Sequence, residues 1–217
     1  MITLYHCASA RSFRALWTLE EIGLPFELKM LPFPPRVLKP DYLELNPLGT
    51  IPLLLDGRSR LSESAAICQY LAVKHSPRAL NVEPDEPGFA DYLNFLHFGE
   101  ATLTFPQTLV LRYSRLEPKE RRQPQVVEDY GKWFLARLRT LEPRLQTADF
   151  LAAGRFTAAD VSVGYALMLA DILGMTAQFT PAVAAYWKRL QQRQGLRRAL
   201  AAQEAAAREQ GVTPSSV

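Results

Sequence analysis

Short apolar runs and helical spacings alternate through the first 75 residues. Ile2 to Cys7 is a β-leaning run that stops at the small-residue loop Ala8-Ser9-Ala10. From Arg11 the spacing turns helical, with Phe13, Leu16, Trp17 and Leu19 on one face and Glu20 and Glu21 pointing outward. Gly23 caps this helix and Pro25 prevents its continuation. Phe26 to Leu31 predicts a second strand. Pro32, Pro34 and Pro35 predict a loop, and Lys39 to Leu45 a short helix ahead of Asn46-Pro47. Ile51 to Leu55 predicts a third strand closed by the Asp56-Gly57 turn, with Arg60-Leu61 returning beside it. Ser64 to His75 is helical and buries Ile67 and Leu71. The resulting order is β-α-β-(α)-β-β-α.

Ser76 to Gly88, with Pro77, Pro84 and Pro87 among acidic residues, reads as a linker. Everything beyond it is helical by pattern. Phe89 to about Tyr113 predicts one long buried helix that Pro106 kinks or interrupts. Val127, Tyr130, Phe134, Leu138, Leu141 and Leu145 repeat at spacings of three and four, and Pro143 ends or bends that helix near Glu142. In Phe156-Thr157-Ala-Ala-Asp160-Val161, Thr157 and Asp160 fit a capping box and Phe156 and Val161 a hydrophobic staple. A buried helix to Leu173 follows, then helices from Pro181 to about Arg193 and from Leu196 to about Arg208, and a frayed tail to Val217. The expected domains are 1–76, small and α/β, and 88–211, all helical.

Composition narrows the class of protein. The 217 residues are 48% hydrophobic and 22% charged, which fits a globular chain and neither disorder nor a fibrous repeat. With 25 Lys plus Arg against 22 acidic residues, the formal charge of +3 is too mild to imply nucleic acid. Lys188, Arg189, Arg193, Arg197 and Arg198 read as a solvated helical face. No apolar run approaches the ~18–20 residues of a membrane span, and the start lacks a secretory signal. A soluble cytoplasmic chain with no membrane or nucleic-acid partner is expected. Two cysteines, Cys7 and Cys68, make no disulfide framework. Three histidines without a His/Cys pair at ligand spacing predict no metal site.

Three segments carry candidate chemistry. The loop from Tyr5 to Arg14 joins a strand to a helix N-terminus, where peptide N–H groups and the helix dipole favour an anion. The alternative is that Ser9 or Ser12 simply caps the helix. In Gly49-Thr50-Ile51-Pro52, a trans proline opens an edge strand. A cis bond would instead turn the Ile51 backbone outward to pair with an extended peptide. In Ser62-Glu63-Ser64, the serines cap the next helix and Glu63 complements its dipole. The alternative is a grip on a ligand carrying both an ammonium, for Glu63, and a carboxylate, for Ser64 and backbone N–H groups.

In this order and spacing the three segments resemble the cytosolic glutathione transferase superfamily, over nearly the whole chain. The resembling residues are Ser9-Ala-Arg-Ser12-Phe-Arg14, Asn46-Pro-Leu-Gly-Thr-Ile-Pro52, Glu63-Ser-Ala-Ala-Ile67 and the Phe156-Thr-Ala-Ala-Asp160 box. The resemblance implies a thioredoxin-like N-terminal domain, an all-α C-terminal domain, a homodimer and a cis bond before Pro52. It also implies glutathione as co-substrate, held by Ile51, Pro52, Glu63, Ser64 and Lys39. Ser9 falls where serine-type members carry their active residue, and Ser12 falls nearer the cysteine position of another bacterial class. Ala10 departs from the proline that follows the serine in many serine-type members, so the chain reads as a bacterial member of serine type or of no assigned subclass. Ser9 ranks first as the catalytic residue, Ser12 second and Cys7 third, with Tyr5 a further candidate. Cys68, and most simply Cys7, are core positions.

The implied chemistry is attack of the glutathione thiolate on a small hydrophobic electrophile. At pH 7 a thiol of pKa ~8.5 is only about 3% ionised. Lowering that pKa by ~2 units takes about 2.7 kcal/mol. One hydroxyl donor to a charged acceptor, at roughly 1.5–3 kcal/mol, together with a helix N-terminus at about 0.3–1, is sufficient. Phe105, Leu109 and Tyr113 are the expected electrophile pocket, between the domains, with His97, Glu100 and Thr104 close in sequence. The alternatives are a non-catalytic binding or regulatory protein of the same fold, and a glutathione-dependent isomerase, dehalogenase or peroxide reductase.

Overall fold

A computed structural model describes residues 1–76 and 78–213. Pro77 and the end of the expected frayed tail, 214–217, lie outside the described residues. Strand β1 (Ile2–His6) has β2 (Phe26–Met30) parallel on one side and β3 (Leu53–Asp56) antiparallel on the other, and β4 (Ser59–Leu61) closes the order β2-β1-β3-β4. Ile2 stands opposite Phe26, and Tyr5 opposite both Lys29 and Leu53. Along β1 the residues Ile2, Leu4 and His6 are buried and Thr3 and Tyr5 half-buried, the alternation that a pleat imposes. The third strand begins at Leu53, two residues later than its apolar run, because Pro52 has no N–H for a ladder.

Helix α1 (Phe13–Ile22) stops at Gly23, whose φ of 76° is left-handed and whose N–H reaches the Leu19 carbonyl at 2.9 Å. The segment expected to be all loop contains the one-turn helix α2 (Pro35–Leu38), which Pro35 opens at a position that needs no N–H. The next helix, α3 (Tyr42–Leu45), starts three residues later than expected. The Phe33–Pro34 and Ile51–Pro52 bonds are both cis. Helix α4 (Ser64–His75) has the expected limits and buries Ile67, Cys68 and Leu71. This mixed four-stranded sheet with its helices is the thioredoxin-like arrangement the resemblance implied.

The helical half departs from regularity where its prolines lie. Helix α5 (Phe89–His97) runs through a π-helical stretch, Phe98–Thr104, into α6 (Phe105–Leu111), and a second π stretch covers Arg112–Leu116. Pro106 sits in the first turn of α6, so the wide turns precede the proline whose missing N–H breaks the ladder. Side chains take up carbonyls there: Thr104 Oγ1 donates to Gly99 O at 2.8 Å, and Gln107 Nε2 to Leu103 O at 3.1 Å and Ala166 O at 3.0 Å. A Cβ on Gly99 would lie 2.5 Å from the Ser162 carbonyl carbon, so only glycine permits that approach. Helix α7 (Pro124–Leu138) gives way to a 3₁₀ turn and then α8 (Glu142–Leu145), which carries Pro143 in its first turn. Helix α9 (Ala158–Ile172) is buried from Ala158 through Ala170. Two further helices follow, α10 (Pro181–Gln191) and α11 (Gln194–Glu209).

The chain divides into two compact units. One is Met1–Ser76 together with α11, and the other is the intervening chain up to Gln191. Helix α11 packs on α1, and this corrects the reading of Glu20 and Glu21 as outward-facing. Arg193 grips the Glu21 carboxylate through Nε at 2.8 Å and Nη2 at 2.9 Å, Trp17 Nε1 donates to it at 2.8 Å, and Arg198 Nε reaches Glu20 at 3.0 Å. Much of the basic C-terminal face is therefore engaged in ion pairs, Arg189 with Asp149 included. The expected linker is also built in. Leu80, Asn81 and Val82 are buried, and Arg155 donates to Asn81 O at 2.7 Å and to Glu86 Oε1 at 2.9 Å. Its prolines read as a linker, but buried apolar side chains and the Ala158 N–H to Leu80 O bond at 2.9 Å hold it in the helical unit.

Candidate functional site

The site is built at the carboxyl end of β1, where the chain turns into α1. Ser9 is half-buried and has a φ of 57°, an uncommon left-handed conformation for a residue with a Cβ. Its N–H donates to Gln203 Oε1 at 3.0 Å. A peptide N–H can only donate, so the Gln203 atom facing it is the oxygen. That oxygen also lies 3.1 Å from His6 Nε2, which must therefore carry the ring proton. His6 Nδ1 is then an acceptor, and the Ser12 hydroxyl, 2.7 Å away, donates to it. Ser12 Oγ in turn receives the Cys7 N–H at 3.3 Å.

This chain of donors and acceptors separates the two candidate serines. Ser12 is fully buried, caps nothing with its side chain, and has its proton committed to His6. Ser9 sits on the loop that opens α1. Cys7 is fully buried with Sγ 3.7 Å from the Pro32 carbonyl, and burial pushes its thiol up to about 12, far from a reactive thiolate. Tyr5 remains in β1, tilted against Tyr42 with ring centres 5.7 Å apart. Cys68 is core, with Thr18 Oγ1 at 3.2 Å.

His6 also gives a pH prediction. Burial holds its ring at about 4, below the ordinary 6.5, against the upward pull of the Gln203 carbonyl. The unfolded chain takes a proton at pH 6.5 that the folded chain refuses. The stabilisation is therefore complete above 6.5 and is lost as pH falls toward 4, by about 3 kcal/mol. Urea unfolding of the protein and of His6→Asn at pH 7.5 and 4.5 checks this. The protein should lose more stability than the variant, and equal losses would contradict it.

Beside the Ser9 loop, Ala10 and Ile51 pack against one apolar cluster of Cys7, Leu31, Tyr42 and Leu53. The approach to Ile51 is pinned: Thr50 O accepts from Tyr42 Oη and Asn46 Nδ2, both at 2.8 Å. Gly49, at φ 61°, leaves no room for a Cβ, which would meet Arg36 Cβ at 2.6 Å. Among the described residues no backbone hydrogen bond engages the Ile51 N–H or C=O, so the loop before the cis proline leaves this peptide's donor and acceptor outside the sheet ladder. At the start of α4, Glu63 is exposed in the N-cap position with extended backbone. Ser64 is buried, and its Oγ accepts from the Arg14 guanidinium at 3.2 Å, which leaves the hydroxyl proton as a donor. Arg14 is itself fully buried, placing a positive charge behind the α4 N-terminus.

Lys39 is exposed and pairs with Asp41 at 2.7 Å. In the helical unit Phe105 is exposed and Leu109 and Tyr113 are half-buried, at spacings of four along α6 and the π stretch after it. The neighbouring groove, about 390 Å³, is lined by Leu93, Asn94, His97, Phe98, Ala101 and Thr102 and not by those three. Among the described residues no group of three His, Cys, Asp or Glu side chains is placed to hold a metal, and no helix is long and apolar enough to cross a membrane.

The pattern reading missed His6 and Gln203. A signal for Gln203 existed: it interrupts the buried stripe of Leu196, Ala199 and Ala207 on α11 with an amide. What that amide meets, 194 residues away, is not visible in a pattern.

Residues 8–74 match the family described as glutathione S-transferase, N-terminal domain. The chain is 37% identical over 103 residues to glutathione S-transferase 3 of Schizosaccharomyces pombe, covering 48% of this chain and 43% of that protein. It is 30% identical over 185 residues to glutathione S-transferase 4 of Zea mays, covering 82% of this chain and 81% of the other. Among solved structures, glutathione transferase Ure2p6 of Phanerochaete chrysosporium, in complex with oxidized glutathione, superposes with a TM-score of 0.82 at 27% identity, over 94% of this chain and 97% of that one.

Proposed function

This chain belongs to the glutathione S-transferase family, and from that premise we propose that it transfers glutathione to small hydrophobic electrophiles by a serine-type mechanism. The observation that carries the reading is the cis Ile51–Pro52 bond with an Ile51 peptide that no backbone hydrogen bond engages, on the same apolar cluster as Ala10 of the Ser9 loop. An extended tripeptide pairs with Ile51 through main-chain hydrogen bonds, as an added strand would. Its γ-glutamyl ammonium meets Glu63, and its α-carboxylate meets the Ser64 hydroxyl and the α4 N-terminus, backed by Arg14. Lys39 joins them by exchanging its Asp41 partner.

The sulfur then lies at the opening of α1, where the Ser9 hydroxyl donates to it. That hydrogen bond is stronger to the thiolate than to the thiol, so it lowers the thiol pKa. The thiol proton passes to solvent, the thiolate sulfur bonds to the electrophilic carbon, and the leaving group departs with its electron pair. Phe105, Leu109 and Tyr113 are the residues proposed to shelter that carbon. A cytoplasmic homodimer completes the reading.

Calorimetric titration with glutathione tests it, and absence of any binding heat overturns it. Glu63→Ala should raise the glutathione KM about tenfold with kcat nearly unchanged, because its contact is far from the sulfur and equal in ground and transition states.

A further inference from the structure

Ser9 holds a left-handed backbone conformation that residues with a Cβ keep only where their surroundings impose it. The group gripping its peptide comes from the other end of the chain. Gln203, 6% exposed, accepts the Ser9 N–H and the His6 Nε2–H on one oxygen. We propose that Gln203, backed by His6, is a positioning residue for the thiol site, holding the Ser9 peptide so that its hydroxyl is aimed at the glutathione sulfur. The inference deepens the proposed function and rests on Ser9 being the thiol's donor.

Three features of α11 make it a rigid platform for that task. At its start Arg193 and Arg198 are locked onto Glu21 and Glu20 of α1. Just past its end, the Gln210 side chain pairs with the edge of β2, accepting the Met30 N–H and donating to Leu28 O, both at 2.8 Å. Between these clamps Gln203 stands in a stripe otherwise made of Leu196, Ala199 and Ala207. An aliphatic residue there would bury more apolar surface, but it would leave a buried imidazole N–H and a loop N–H without an acceptor. A side chain fixed at both ends of its helix holds the loop to the tolerance of a few tenths of an ångström that aimed donors need.

The test uses the full chain and the variant Gln203→Met, similar in length and without an acceptor. With a chromogenic aryl chloride, kcat should fall about tenfold while the glutathione KM stays within about twofold. The pKa of enzyme-bound glutathione, read from thiolate absorbance against pH, should rise by about one unit. A residue that merely stabilises the fold would leave the bound thiol's pKa where it was. Should Gln203→Met not fold, Gln203→Asn withdraws the same oxygen by one methylene and carries the same expectation. Wild-type kcat and thiol pKa in the folded variant, with Ser9→Ala still impaired, overturn this inference and leave the function intact. Wild-type turnover in Ser9→Ala overturns both the serine mechanism and this inference.

Discussion

Asp160→Ala is expected to destabilise the helical unit by about 3–5 kcal/mol, enough to unfold a marginal domain. The carboxylate is fully buried and accepts from Leu151 N at 3.0 Å, Thr157 N at 2.8 Å and Tyr186 Oη at 2.7 Å, while the Thr157 side chain completes the capping box at the start of α9. Truncation leaves three buried donors unpaired and opens the first turn of a helix that is buried from Ala158 to Ala170. Each stranded donor costs about 1–3 kcal/mol, and relaxation recovers part of the sum. Urea unfolding at pH 7.5 measures it, and a loss below about 1 kcal/mol would contradict this account of the box. The carboxyl also titrates. Burial pushes it up to about 6 against the pull of its donors, so the folded chain holds a proton that the unfolded chain has released between pH 6 and 3.8. Its contribution to stability therefore grows as pH falls through that window, opposite in sign to that of His6.

Ser9→Ala should lower kcat for a chromogenic electrophile by about 10- to 100-fold with a nearly unchanged glutathione dissociation constant. The lower limit corresponds to loss of one hydrogen bond to a charged sulfur, about 1.4 kcal/mol, and the upper to one in a water-poor site. Ser9→Gly is the control for the backbone. Glycine accepts a φ of 57° without strain and supplies no hydroxyl, so it should lose the same turnover. Ser12→Ala should differ in kind, since its hydroxyl bonds His6 in the interior and its loss lowers stability. Full activity in both Ser9 variants would remove the serine mechanism.

Local signals were legible where their cause is local. The periodicity of Phe13 to Leu19, the left-handed stop at Gly23, the Asp56-Gly57 hairpin and the Thr157–Asp160 box all depend on residues within a few positions of one another. The candidate segments around Ser9, Ile51 and Glu63 were legible for the same reason. Errors fell where distant contacts rule. Glu20 and Glu21 were read as solvent-facing because nothing nearby could pair with them, and their partners lie in α11. The linker was read from its prolines, yet Leu80 and Val82 find burial that a proline count does not register. Pro106 correctly signalled a break, but whether it would come as a kink, a stop or a π-helical stretch depended on packing against α9.

For this protein, the sequence by itself determined most of the elements, the β-α-β-(α)-β-β-α order of the first 75 residues, and the stretches where chemistry can reside. Hydrogen bonds and apolar spacing within a few residues carry that information, and they survive without knowledge of the whole. The tertiary structure decided that the Ser12 hydroxyl is buried against His6, which nitrogen of His6 carries its proton, and that an amide near the carboxyl end grips the Ser9 peptide. Those outcomes depend on burial and on donor–acceptor pairs joined across nearly two hundred residues, and only the folded chain brings such groups within three ångströms of each other.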